Sequence, residues 1–280
     1  MRLVTYDSGD GARAGELRGG LIFDLWGHGE PIREEDRNLS GLLRGGLLGE
    51  LEPAPGEGIP ADSVDVLPPI GDPEKIVCIG LNYRSHAAEA GIEAPERPTF
   101  FAKFPNALAA PGATVDLPEG SEKVDFEAEI AVVIGARCSR VDPASALDHV
   151  AGCMLFNDLS ARDWQFATPQ WMPGKVFDGS APCGPALVTL DEAGPHDAIE
   201  FKLELNGEVM QEASTSDLIH SVPELVAHLS TLMTLEPGDI VATGTPSGVG
   251  SVRDPRVWLK PGDEIVISSP TLGELCTTIA

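Results

Sequence analysis

The order of apolar and polar positions along this chain writes strands more often than helices. The run from Lys75 through Ile-Val-Cys-Ile-Gly to Leu81 is almost wholly apolar and follows a Pro-rich turn, as a short buried strand does. Phe126 to Ile134 reads as a second strand. Phe126, Ala128 and Ile130 share one face, Glu127 and Glu129 share the other, and the segment then becomes wholly apolar. A third apolar run, Val150 to Phe156, ends on Asn157-Asp158. Residues 201–210 alternate around Asn206-Gly207, a strong two-residue hairpin signal. Pro237-Gly238-Asp239 and Pro261-Gly262-Asp263 each precede an apolar stretch, which predicts two turn-strand units of one β-structure. One helix is clear: Ser221-Val-Pro-Glu224 matches a capping box, and Leu225, Val226, Leu229, Leu232 and Met233 recur at helical spacing. His220 and His228 read as surface residues of that region.

These elements predict a mixed α+β fold that is rich in β. Turn-rich connectors at residues 53–60 and 67–73 divide the chain into a small N-terminal module, 1–70, and a larger domain, 71–280. Hydrophobic residues make up 42% of the chain, enough for a globular core. The formal net charge is −25, from 44 acidic against 19 basic residues. Such a surface repels nucleic acid and anionic membrane, and no apolar stretch approaches membrane-spanning length. The start, Met1-Arg2-Leu3-Val4-Thr5-Tyr6-Asp7, reads as a strand rather than a signal peptide. The five cysteines (Cys78, Cys138, Cys153, Cys183 and Cys276) are odd in number and show no C-x-x-C spacing. Free thiols in a reducing cytoplasm follow.

With 44 carboxylates in the chain, position has to separate functional acids from solvated ones. Glu127 and Glu129 lead side by side into a buried segment and repel unless a cation lies between them; a solvated strand face is the alternative. Asp158 ends an apolar strand, either as a ligand or as the N-cap of the helical turn that carries Arg162 and Gln165. Taken together, Glu127, Glu129 and Asp158 make an all-oxygen set suited to Mg²⁺ or Mn²⁺ rather than zinc. His86 and Glu89 stand one helical turn apart, so that the carboxylate can orient the imidazole as a base; a surface pair is the plainer reading. Lys175 follows a Trp-, Met- and Pro-rich loop. The Gly-rich stretch 243–250 has neither phosphate-loop nor dinucleotide spacing. It reads as a tight turn, or as backbone N–H groups gripping a substrate carboxylate.

Five segments resemble the fumarylacetoacetate hydrolase family, in its bacterial branch of 2-hydroxyhepta-2,4-diene-1,7-dioate isomerases and acylpyruvate hydrolases. They are Gly-Leu-Asn-Tyr-Arg-Ser-His-Ala-Ala-Glu (80–89), Pro-Thr-Phe-Phe-Ala-Lys-Phe-Pro-Asn-Ala-Leu (98–108), Asp-Phe-Glu-Ala-Glu-Ile-Ala-Val-Val-Ile-Gly (125–135), Phe-Asn-Asp-Leu-Ser-Ala-Arg-Asp-Trp-Gln (156–165) and Ala-Thr-Gly-Thr-Pro-Ser-Gly-Val-Gly (242–250). The resemblance implies a rolled β-fold with a small N-terminal module, usually in a homodimer. It implies Mg²⁺ or Mn²⁺ on Glu127, Glu129 and Asp158, and water activation by His86 and Glu89. Lys175 joins that pair as a catalytic charge, and Arg162, Gln165, Thr245 and Lys103 fall on substrate-contacting positions. Cys183 stands where relatives more often have Met or Leu, which suggests an altered pocket wall.

A small 2-oxo acid fits that set. Its carboxylate and keto oxygens chelate one metal, which stabilises charge on the keto oxygen as an enolate forms. The expected reaction is C–C bond hydrolysis or isomerisation of a 2,4-dioxo or 2-hydroxy-dienoic dicarboxylic acid, as in aromatic catabolism. Oxaloacetate decarboxylation or tautomerisation is the alternative, and a non-catalytic metabolite-binding paralogue is the second.

Overall fold

Antiparallel pairing organises most of the chain in the computed structural model, which describes residues 1–26 and 37–280. The elements that matter are strands β1 (Arg2–Asp7), β2 (Ala12–Arg18), β3 (Leu21–Asp24), β4 (Ile76–Gly80), β5 (Thr99–Lys103), β6 (Ala128–Ile134), β7 (Val150–Asn157) and β8 (Ala181–Thr189). They are followed by β9 (Glu200–Leu205), β10 (Glu208–Ser214), β11 (Ile240–Ala242), β12 (Glu264–Ser269) and β13 (Gly273–Ile279). The helices are α1 (Leu39–Arg44), α2 (Arg84–Ala90), α3 (Arg162–Gln165) and α4 (Val222–Leu232). A large sheet runs β3-β2-β1-β8-β7-β6-β11-β4-β5, with short strands at its margins. A second sheet runs β10-β9-β12-β13 and ends on the short strand Thr114–Val115.

The reason β6 is apolar apart from Glu129 is visible in its neighbours. It lies between β7 and β11, and its two faces meet two different clusters. Ala128, Ile130, Val132 and Ile134 pack with the second sheet and with Leu225, Val226 and Leu229 of α4. Ala131 and Val133 pack the other way, with Leu39, Leu42 and Leu43 of α1. A strand covered on both faces and paired on both edges has no use for polar alternation. The second sheet is covered on one face, and the alternating burial of β9 and β12 records it.

Local signals hold where they rest on turn or cap chemistry. Asn206 and Gly207 both adopt positive φ, 52° and 81°, as a two-residue hairpin requires. The capping box at Ser221 and Glu224 is formed. Asp239 and Asp263 each accept a hydrogen bond from the backbone N–H three residues upstream, at 2.8 and 2.9 Å. The units that they open belong to different sheets, however: β11 to the large one and β12 to the second. Identical turn chemistry fixes how a strand starts but not which edge it joins. The N-terminal strands continue the large sheet, since β1 pairs antiparallel with β8 at Leu3 and Leu187. The connector at 67–73 therefore separates segments that share a sheet.

Candidate active site

The site forms where four strand ends converge. Antiparallel pairing of β6 and β7 sets Ala128 opposite Asn157 and Glu129 opposite Phe156. Glu127, just before β6, thereby meets Asp158, just after β7, and the Asp158 N–H donates to the Glu127 carbonyl at 2.9 Å. β11 lies on the other side of β6 and delivers Thr243, Gly244 and Thr245 to the same end. β4 runs parallel to β11 and leads into α2 with His86 and Glu89.

The strand expected over 126–134 is broken at its start. Val124-Asp125 pairs separately with Ser160-Ala161, and Glu127 sits in the gap before β6. The break follows from Asp125, whose buried carboxylate accepts from the N–H groups of Phe126, Gly250 and Ser251 at 2.9, 2.7 and 3.0 Å. Those bonds take local backbone out of the sheet ladder. Asp158 does not cap a helix: α3 starts at Arg162 with Ala161 at its N-cap.

One oxygen from each of Glu127, Glu129 and Asp158 lies within 4.8 Å of the others, and all three residues are buried. Around them stand three buried cations. Lys175 Nζ bridges Glu127 and Asp158 at 2.6 and 2.7 Å. Lys103 Nζ binds the second Asp158 oxygen at 2.7 Å. Arg162 pairs with Asp125 at 2.8 Å and with Glu127 at 2.6 Å, and donates to Gln165 at 2.9 Å. Burial pushes the Glu127 carboxyl up, but Arg162 and then Lys175 outweigh it and hold it at about 2. Burial likewise disfavours the Lys175 ammonium, and Asp158 and Glu127 reverse that, so it stays charged.

Glu129 is the exception. Among the described residues it has no ion pair, only the Gly244 N–H at 2.9 Å. Burial first, and then Asp158 and Glu127, push its carboxyl well above the usual range. With Asp125 the cluster holds four carboxylates against three cations, and the deficit falls at Glu129. An all-oxygen donor set that is short of positive charge fits a hard divalent cation.

The Gly-rich loop does grip carboxylates, but they belong to the protein. Gly244 holds Glu129, Gly248 holds Glu89 through both oxygens at 3.1 Å, and Gly250 and Ser251 hold Asp125. The loop thus ties the acid cluster to α2. Thr245 lines the cavity, but its hydroxyl donates to the Ala128 carbonyl and accepts from Gln211, at 2.9 and 2.8 Å. Its O–H is therefore not free to donate to a substrate. Gln211 also takes the Ala128 N–H at 2.9 Å. The sequence reading assigned roles to neither Asp125 nor Gln211.

His86 Nδ1 lies 3.5 Å from Glu89, as the helical spacing predicts, and that is its one charged partner among the described residues. The distance exceeds a normal hydrogen bond. His86, Arg162, Gln165, Lys175 and the three acids all line one cavity of about 180 Å³. This is a small cavity, below the roughly 300–1,000 Å³ of drug-sized sites. Lys103 stands behind Asp158. Cys183 is packed with Leu187 and Phe156 in the core, away from the cavity wall, and burial pushes its thiol up to about 12. It is an inert core residue, which corrects the altered pocket wall inferred from the sequence.

Three buried acids at the converging ends of a β-rich fold form a candidate divalent-metal site, with a histidine–glutamate pair across a small cavity. Residues 75–280 match the model of the fumarylacetoacetate hydrolase C-terminal domain. The mitochondrial oxaloacetate tautomerase FAHD2A of Bos taurus is 42% identical over 224 residues, 79% of this chain and 71% of that protein. Among solved structures, the maleylpyruvate hydrolase of Sphingobium sp. superposes with a TM-score of 0.82 at 33% identity, over all of this chain and 99% of that one. The 5-carboxymethyl-2-hydroxymuconate delta-isomerase of Mycobacterium smegmatis gives 0.80 at 33%, over all of this chain and 98% of that one. The chain belongs to the fumarylacetoacetate hydrolase family. Its relatives include a tautomerase, a hydrolase and an isomerase, so the family defines the kind of enzyme and leaves the reaction open.

Proposed function

We propose that this enzyme binds a small 2-oxo acid on Mg²⁺ or Mn²⁺ held by Glu127, Glu129 and Asp158, and hydrolyses the C–C bond of an acylpyruvate. The observation that carries the reading is the convergence of the three acids, Lys175 and His86 on one small cavity. When bound, the metal supplies Lewis-acid stabilisation of the charge that develops on the keto oxygen.

In this reading Lys175, charged and buried, adds a second positive charge beside that oxygen, at a position shielded from solvent where such a charge counts most. Arg162 is held on both sides by Asp125 and Glu127, and fixes the acid cluster in place. His86 takes a proton from water on Nε2, while Glu89 faces Nδ1 and stabilises the imidazolium. Hydroxide then attacks the distal carbonyl. The C3–C4 bond breaks, its electron pair passes into the pyruvate enolate, and the proton held on His86 returns to C3. Water and acylpyruvate become a carboxylic acid and pyruvate. Isomerisation or tautomerisation would use the same enolate without the attacking water, and the tautomerase and isomerase relatives keep that second reading in play. We extend the reading to a homodimer in a reducing cytoplasm, in keeping with the family resemblance and the five free thiols.

The test is to strip the protein of metal, restore Mg²⁺ or Mn²⁺, and assay a short acylpyruvate, oxaloacetate and a hydroxymuconate-type dienoate. Metal-dependent release of pyruvate and a carboxylic acid is expected. An absorbance change without fragments would move the assignment to the isomerase or tautomerase reading. Full activity without metal would overturn the metal site.

A further inference from the structure

The cavity has two unlike ends. Its floor carries the acids, Arg162 and Lys175, with the Phe101 ring 5.0 Å from the Lys175 Nζ, whereas its remaining wall is built from Ile79, Ile92, Phe166, Trp171 and Val252. The wall has a defined packing. Trp171 meets Phe101 edge-on, with ring centroids 6.1 Å apart at 74°. The Trp171 indole also lies over Gly80, where a Cβ would come within 2.5 Å of Cζ3. Glycine at the end of β4 is thus what lets the indole reach the cavity. At the mouth, Phe166 is 67% and Ile92 50% exposed, apolar area that a ligand gains by covering.

Among the described residues of the lining, the cations are Arg162, Lys175 and His86. Arg162 is committed to Asp125, Glu127 and Gln165, and Lys175 to Glu127 and Asp158. His86 must be neutral to act as a base. A second carboxylate at the far end of the substrate would lose its water against an apolar wall without a counter-charge. It would also have to approach a chain of net charge −25.

We infer that the group beyond the attacked carbonyl is an uncharged apolar chain of a few carbons, which makes the substrate a monocarboxylic acylpyruvate, with Ile92, Phe166 and Trp171 setting its specificity. This rests on the 2-oxo acid reading above and departs from the dicarboxylic acid expected from the sequence, because among the described residues the wall offers no free cation to a second carboxylate.

The test compares two acylpyruvates on the metal-loaded enzyme. One ends in an isopropyl group and the other in a carboxylate, on the same two-methylene spacer, so that methyls replace oxygens at nearly constant shape. The isopropyl compound should have a kcat/KM at least about tenfold higher, chiefly through KM. Equal values, or preference for the carboxylate, would overturn the apolar assignment and leave the 2-oxo acid reading standing. Turnover of neither would remove both. In Ile92→Arg, which sets a guanidinium at the mouth, the preference should shrink by about tenfold. An unchanged ratio would mean that the distal group does not face this wall, and would overturn the assignment.

Discussion

Glu127, Asp158, Arg162 and Lys175, at the floor of the cavity, are buried and each meets two or more charged partners. His86 and Glu89, at its side, keep 15% and 28% of their side chains exposed and share one 3.5 Å contact. The floor is an electrostatic lattice assembled from strand ends that are far apart in sequence. The dyad comes from one turn of a short helix and is anchored through the N–H of Gly248. A lattice fixes charge and is costly to disturb, whereas a helical pair can shift within its rotamers and tighten when substrate arrives. In the proposed reaction the rigid part takes the metal and enolate chemistry, and the adjustable one the water activation.

The largest effect should separate two acids within the floor itself. Asp158→Ala strands Lys103 and Lys175 without their shared partner, and removing one member of a buried ion pair costs about 3–5 kcal/mol. Glu129→Gln removes the acid of the cluster that has no ion pair among the described residues, so the metal-free protein should be at least as stable as wild type to urea. Both variants should lose metal binding in an Mn²⁺ titration, together with all turnover. If Glu129→Gln destabilises the metal-free protein as much as Asp158→Ala does, the charge deficit is not located at Glu129.

His86→Ala tests the contrast from the other side. Hydrolysis should fall by about 10²–10⁴-fold, the range for loss of a general base. Metal affinity and metal-dependent enolisation of oxaloacetate should remain near wild type. Parallel loss of both activities would mean that floor and dyad do not divide the work.

What could be read in the sequence follows the range of the interactions. His86 and Glu89 are three residues apart on a helix, and spacing alone predicts their contact. Glu127 and Glu129 lie two apart at the head of an apolar strand, so their shared direction was legible too. Asp125 belongs to that same two-residue period, but its role depends on distant partners. Its partners, Arg162, Gly250 and Ser251, lie 37 to 126 residues away, and no local pattern reports them. Gln211 reads as one more polar residue on a hairpin strand, although it is buried and holds Thr245 and Ala128. The two Pro-Gly-Asp turns were legible as turns, yet their sheet membership depends on partners elsewhere in the chain. The N–H groups of the Gly-rich loop were recognisable as anion donors, but the anions turned out to be the protein's own.

Asp125 links the two parts, since it holds both Arg162 and the loop that anchors Glu89. Asp125→Asn keeps the shape and removes the charge, so Arg162 retains a single carboxylate partner, Glu127. Residues that orient metal ligands typically cost 10–100-fold in affinity or activity when changed. A loss near one hundredfold in kcat/KM is expected here, with weaker Mn²⁺ binding by titration. Lost turnover with unchanged Mn²⁺ affinity would show that Asp125 serves the dyad alone.

The smallest effect belongs to Glu89→Gln. The amide oxygen still accepts from Gly248, so the loop anchor persists, and a partly exposed position adds little to stability. What disappears is the negative charge facing His86 Nδ1, which stabilises the imidazolium formed as water is deprotonated. Hydrolysis should drop by roughly tenfold, less than the loss of the general base itself. Glu89→Ala, which also frees the Gly248 N–H, should cost more than Glu89→Gln. Measured kcat values for the pair separate the two duties of Glu89: equal losses would mean that charge alone matters, and no loss in Glu89→Gln would mean that the residue serves only to tie the loop to α2.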